Sequence, residues 1–260
     1  MMFLWGCAKH QSLPILPAET RPQIPVSEFI AGYSVKKRPI PCIIMGNGKQ
    51  SILVIASIHG DEIAGTPLTY RMQTYFSENP GLLKDRKLIL LPAANPDGMA
   101  SFVRFNDRKV DLNRNFPSAN RKERRQSGEY PCSEPETKVI MRLIHTYRPV
   151  RIITLHEPMN CIDYDGPGDA LAGFIADHCH LPVRKIGAMP GSLGSYAGEE
   201  LGIPVITVEL PKNAAMLDTD ALWGLYGNAL LSSVLYPAYP GHSFAENERK
   251  QYPKPGRQGK

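Results

Sequence analysis

Four short apolar runs punctuate the middle of the chain: residues 51–57 (SILVIAS), 87–91 (KLILL), 151–155 (RIITL) and 204–208 (PVITV). Unbroken runs of this length suit strands covered on both faces, whereas a strand with one wet face alternates apolar and polar positions. Between the runs the spacing of apolar residues becomes helical, over about 62–77, 135–147, 169–179, 194–201 and 219–235. Residues 133–136 (SEPE) read as a helix start, with Ser133 as cap, Pro135 tolerated in the first turn and Glu136 reaching back. Strands alternating with helices predict a single α/β domain: a mostly parallel or mixed central sheet flanked by helices. In such sheets ligands bind outside the carboxyl ends of the strands. The residues that follow the apolar runs are therefore the place to look for chemistry.

Both ends of the chain are different in character. Residues 8–30 are polar and carry Pro14, Pro17, Pro22 and Pro25, which predicts an extended tether. From Pro237 onward the chain is again polar, with Pro240, Pro253 and Pro255. The expected division is an N-terminal extension over 1–30, a catalytic domain over 31–236 and a polar tail over 237–260. Hydrophobic residues make up 42% and charged residues 21%, an ordinary globular balance that excludes a disordered or fibrous chain. No run approaches the roughly 20 apolar residues of a transmembrane helix. A net charge of +5 is too mild to call for nucleic acid and suits an anionic small substrate. The five cysteines, Cys7, Cys42, Cys132, Cys161 and Cys179, show no CxxC spacing, which argues against a cysteine zinc cluster. Residues 4–7 (LWGC) resemble the end of a bacterial lipoprotein signal, after which Cys7 would carry lipid, although only six residues precede it. That resemblance implies the cell envelope; the alternative is a cytoplasmic protein. The four other cysteines are either two disulfides or four buried thiols.

Four constellations follow the apolar runs. His59 and Glu62, three apart after the first run, can turn toward one point and form a zinc-type ligand pair. His156 closes the third run, and two histidines with one acid is a common catalytic zinc set that leaves room for water. Glu209 closes the fourth run; it is either a salt-bridged structural glutamate or a general base whose pKa is raised by its apolar setting. Arg104, Arg108 and Arg114 surround residues 110–116 (VDLNRNF), and arginine suits both a carboxylate and a developing oxyanion. The basic run 121–125 (RKERR) reads as a solvated loop rather than a polymer-binding face.

Taken in order, these stretches resemble the zinc carboxypeptidases, and within them the murein peptide amidase branch. The series runs from residues 32–35 (GYSV) through 59–62 (HGDE), 95–98 (NPDG), 104–106 (RFN), 111–116 (DLNRNF) and 133–137 (SEPET) to His156 and Glu209. Residues 191–196 (GSLGSY) look like the amidase branch in particular. The resemblance implies a zinc metallopeptidase with one zinc per chain, bound by His59, Glu62 and His156. It also implies Glu209 as general base and acid, Arg104 at the scissile carbonyl, and Asn113 with Arg114 at the substrate's terminal carboxylate. The implied substrate is a small peptide, cut between γ-D-glutamate and meso-diaminopimelate. Among Asp163, Asp165 and Asp169, one could then meet the second amino group of diaminopimelate; the alternative is solvated loop acids. One departure stands out: the mobile tyrosine of digestive relatives has no counterpart in residues 185–190, and Tyr196 lies close to Glu209. Two rival readings are an N-acyl amino-acid deacylase and a non-catalytic wall-binding module. Against the first, the segment after Glu209 reads as one helix plus a polar tail rather than a β-rich domain. Against the second, all three ligands and the base are present.

Overall fold

The computed structural model describes residues 23–236. Seven strands form one mixed sheet: β1 (Val26–Tyr33), β2 (Pro39–Met45), β3 (Gln50–Ala56), β4 (Arg86–Leu91), β5 (Arg151–His156), β6 (Met159–Asp165) and β7 (Val205–Pro211). Their spatial order is β1-β2-β4-β3-β5-β7-β6. The central four, β4-β3-β5-β7, are mutually parallel. They are the four unbroken apolar runs of the sequence. β2 joins β4 antiparallel, and the edge strands β1 and β6, also antiparallel to their neighbours, have no such run.

Helices cover both faces. α1 (Gly65–Glu78), α4 (Asp169–Asp177) and α5 (Thr219–Leu235) pack on one face around Leu68, Met72, Phe76, Ile153, Leu155, Ile206 and Val208. On the other face α3 (Pro135–Tyr147) buries Val139, Ile140, Leu143 and Ile144 against Leu53, Ile55 and Ile152. Residues Gly194–Glu200, expected to be helical, form one widened turn of π-helix on this second face, where Ala197 and Tyr196 join the core. A short helix, α2 (Pro96–Ser101), follows β4.

Several expectations shift. The sheet begins at Val26, so the part of the expected tether from residue 26 to 30 is strand. The tether before it, Cys7 and the tail lie outside the described residues. The helix after residue 133 does start at Pro135, but the capping box does not form. Glu134 holds the cap position, Glu136 turns away to accept from Val35 N at 3.1 Å and Asn106 Nδ2 at 3.2 Å, and Ser133 Oγ is bonded to Asn115 and Glu134. A buried carboxylate takes the strongest donors within reach, and here those lie across the fold rather than one turn back. Cys42, Cys132, Cys161 and Cys179 are free thiols. Arg121 folds back onto the carbonyls of Ser127 and Gly128, while Lys122 to Arg125 stay exposed as expected. Among the described residues no helix is long and apolar enough to cross a membrane.

The parallel centre sets up the site, because β3 and β4 leave the sheet side by side. Ala94 N and Asn95 N donate to the carbonyls of Ala56 and Ser57 at 3.0 Å each. Asn95 then caps α2 by accepting from Gly98 N at 2.9 Å, and its amide donates to Ile58 O at 3.2 Å. The two segments cross so closely that a β-carbon on Gly60 would sit 2.1 Å from the Gly98 carbonyl carbon. Only backbone lies in the way, so no side-chain rotation relieves the clash. Gly60→Ala is expected to destabilise the protein by about 1–3 kcal/mol. At roughly 2–4 °C per kcal/mol for a domain of this size, thermal unfolding should show a drop of several degrees; an unchanged Tm would show that the crossing is slack.

Candidate active site

His59, Glu62, Arg104, Asn113, Arg114, His156 and Glu209 all line one cleft of about 220 Å³ at the carboxyl ends of the parallel strands. Their positions follow from the sheet. β3 ends at Ala56 and Ser57 turns the chain in a left-handed conformation, φ +53°. The loop closes on itself, with Glu62 N donating to His59 O at 3.3 Å, so both side chains face one point before α1 begins at Gly65. The pair is thus presented by a turn, whereas the spacing alone reads as the first turn of a helix. His156 is the last residue of β5 and lies in register beside Glu209 of β7.

The centre is a buried charge network. Glu62 Oε1 lies 2.8 Å from His59 Nδ1, and Glu62 Oε2 lies 2.7 Å from His156 Nδ1. Glu62 also accepts from Arg104 Nη1 and from Glu157 N, each at 3.2 Å. Asp111 is the residue whose role the sequence reading missed, although it stands inside the quoted 111–116 stretch. Its Oδ1 meets His59 Nε2 at 3.1 Å, and its Oδ2 meets Arg104 Nη2 at 2.9 Å and Nε at 3.0 Å. Burial disfavours charge on both acids, yet the hydrogen bonds and charges around them win. Glu62 is held well below the usual carboxylate range by His156 and His59, and Asp111 by His59, Arg104 and Arg114. Burial also opposes charge on His59, but Asp111 and Glu62 outweigh it and raise its pKa.

These residues fit a divalent metal. One donor atom from each of His59, Glu62 and His156 can be chosen so that all three lie within 4.8 Å of one another, and all three residues are buried. An ionised Asp111 can only accept, so His59 carries its proton on Nε2 and turns the Nδ1 lone pair inward. That nitrogen lies 3.1 Å from His156 Nδ1, a pairing of two basic atoms that requires a cation or proton between them. Two imidazoles and a carboxylate form a zinc-type donor set.

The remaining groups frame this centre. Burial raises the pKa of Glu209; His156 and the amide of Met159, 3.3 Å away, pull it down and Glu62 pushes it up. Asn113 lines the cleft, and its Oδ1 accepts from Leu193 N at 2.9 Å. Arg114 Nη1 is tied to Asn113 O at 2.6 Å. Arg108, the third arginine singled out in the sequence, stands apart: it faces Glu134 at 3.6 Å and does not line the cleft. Tyr196 belongs to the core. It is 7% exposed, stacks on Phe116 at 6.2 Å and shares a 2.9 Å hydrogen bond with His145, so it is no mobile substrate-binding tyrosine. Asp163 and Asp165 are buried on β6 and line the cleft, which corrects the solvated-loop alternative for both; Asp169 is exposed at the start of α4.

A metal-type donor set, a buried carboxylate and two arginines at the strand ends of a parallel sheet define the class of metal-dependent hydrolases on an α/β scaffold. Within that class the chain belongs to the zinc carboxypeptidase family, whose model matches residues 18–167. It is 34% identical over 182 residues to murein peptide amidase A of Escherichia coli (strain K12), covering 63% of this chain and 72% of that protein. It is 29% identical over 230 residues to murein peptide amidase A of Vibrio campbellii, covering 79% and 88%. Among solved structures, the murein-tripeptide amidase of Escherichia coli O157 superposes with a TM-score of 0.64 at 29% identity, over 84% of this chain and 96% of that one. Carboxypeptidase A of Helicoverpa armigera shares the fold, with a TM-score of 0.67 at 20% identity over 82% and 69%.

Zinc content checks the donor set. Purified His156→Ala is expected to lose most of its zinc, and Asp111→Asn to bind zinc about 10–100-fold more weakly, because the amide no longer fixes the His59 tautomer. Full zinc occupancy in His156→Ala, measured by metal analysis, would remove the third donor from the site.

Proposed function

We propose that the chain hydrolyses the amide between γ-D-glutamate and meso-diaminopimelate in murein peptides, with one zinc held by His59, Glu62 and His156. The observation that carries this reading is the convergence in one cleft of three metal-type donors, Glu209, Arg104, Asn113 and Arg114. The relatives named murein peptide amidase support the choice of bond.

Zinc bound at such a site acts as a Lewis acid, polarising a carbonyl and making water more acidic. Glu209 takes a proton from the attacking water and returns it to the leaving amine, a role suited to a carboxylate whose proton affinity is raised by burial. Arg104 is held rigid on two sides by Glu62 and Asp111, so its guanidinium is already oriented when charge develops on the scissile oxygen. The Asn113 amide and Arg114 grip the terminal carboxylate. Asp111 organises both halves, turning His59 inward while anchoring Arg104.

Two experiments separate these roles. Glu209→Gln keeps shape and removes the proton acceptor; it should fold and hold zinc while turnover falls by on the order of 10²–10⁴ or more. Near-normal turnover in a zinc-loaded sample would end the assignment.

The second compares a murein tripeptide with the same peptide amidated at its terminus. Arg114→Lys should lose far more activity on the free acid than on the amide, since lysine lacks the planar fork. Arg104→Gln should slow both by a similar factor. Equal wild-type rates on the two peptides would replace carboxylate recognition with an endopeptidase reading.

A further inference from the structure

The amino ends of the parallel strands, the edge of the sheet away from the catalytic cleft, carry two buried arginines. Arg86 opens β4 and Arg151 opens β5, and each is 4% exposed. Residues two apart on a strand face the same way. Leu88 and Leu90 follow Arg86, and Ile153 and Leu155 follow Arg151, all in the core beneath α1, α4 and α5. Both arginines therefore turn to that face. At about 3.3 Å per residue, Arg151 lies roughly 16 Å along β5 from His156.

The two are not equivalent. Arg86 Nε donates to Val234 O at 3.2 Å and its Nη2 to Leu235 O at 3.0 Å, carbonyls at the negative end of α5. Arg151 has no such anchor. Its Nε is sealed from solvent without a hydrogen bond, and among the described residues no carboxylate forms an ion pair with it. Its guanidinium carbon lies 5.7 Å from the centre of the Tyr236 ring. Buried charges are ordinarily paired, because an unpaired one bears the full cost of desolvation. Burial and the charge of Arg86, opposed by Tyr236, lower the pKa of Arg151 to about 10, so it still carries its charge at neutral pH.

Arg151 lines a cavity of about 290 Å³ and is the one charged side chain among the described residues that do so. Val150, Pro204 and the Tyr236 ring make apolar wall, joined by Pro167, Ala170 and Leu171 at the start of α4. Gly168 caps α4 without a side-chain bond, so the positive end of that helix borders the cavity. Asp169 of the same turn is exposed and does not pair with Arg151. We propose that this cavity binds a small carboxylate carried on an apolar body, with the Arg151 guanidinium as its counter-charge. A single cation suits a monoanion, and the planar guanidinium suits a carboxylate. With Nε sealed, the contact falls to the Nη nitrogens, while the apolar walls take the body of the ligand. The proposal does not rest on which bond the catalytic cleft cuts.

The test titrates the zinc-loaded full chain with phenylacetate, phenylacetamide and inorganic phosphate and follows thermal unfolding near pH 7. Phenylacetate joins a carboxylate to an apolar ring; the amide keeps the ring without the charge, and phosphate keeps charge without the ring. A ligand of this size should bind wild type with a Kd of about 1 mM or below. At roughly ten times that concentration Tm should rise by about 2–6 °C. Arg151→Met should lose the rise. Any binding in the catalytic cleft is common to both proteins and cancels in the comparison. Ala170→Glu, at an exposed position on the cavity wall, supplies an anion from the chain itself and should also lose the rise. Phenylacetamide and phosphate should each bind at least tenfold more weakly than phenylacetate. No rise in wild type, an undiminished rise in Arg151→Met or Ala170→Glu, or an amide that binds as well as the acid overturns the proposal. Phosphate binding as tightly as phenylacetate overturns the apolar body. The chain has two acids after Tyr236, Glu246 and Glu248. A rise that appears only in Glu246→Gln/Glu248→Gln would make the chain's own acids the occupant and end the proposal of a separate ligand.

Discussion

Two buried carboxylates, Glu62 and Asp111, set the terms for the rest of the site. Neither would remain ionised in a buried position without partners that favour its charge: His156 and His59 stand against Glu62, and His59, Arg104 and Arg114 against Asp111. The same contacts bring two ring nitrogens and a carboxylate to one point, a donor set that suits a divalent cation. Positioning of the metal-type donors and positioning of Arg104 are therefore one event: Asp111 touches His59 with one oxygen and Arg104 with the other. A change at Asp111 is felt at both.

The sheet is what brings these groups together from distant parts of the chain. Because β3, β5 and β7 are parallel neighbours, their carboxyl ends open on a common edge, and His59, His156 and Glu209 arrive there from three separate segments. One face of β5 and β7 is divided along its length. Ile152 and Val205 belong to the core on the α3 side, whereas Thr154, His156, Thr207 and Glu209 stay polar along the cleft. The widened turn at Gly194–Glu200 closes the cleft on that face without side chains of its own at Gly194 and Gly198, both of which lie against Asp165. Tyr196 cannot act as a mobile tyrosine of the digestive kind, since it is locked between Phe116 and His145.

Much of this was legible in the residues alone. The four central strands announce themselves because a strand covered on both faces has no polar alternation to disguise it, and the helices at 135–147 and 219–235 fall where the periodicity puts them. The order of His59, Glu62, Arg104, Asn113, Arg114, His156 and Glu209 was enough to imply the family. Tertiary structure alone decided what depends on neighbours distant in sequence. β1 is largely exposed and β6 spends alternate positions on acids, so neither has the apolar signal of a central strand. Glu136 looks like a capping residue locally but is drawn to Val35 and Asn106, which folding brings beside it. Asp163 and Asp165 look like loop acids until β6 pairs with β7 and turns them into the cleft. A local pattern reports which faces of an element are wet, but the state of a buried charge is set by whatever the fold places across from it, and for Asp165 that is a glycine and an open cleft.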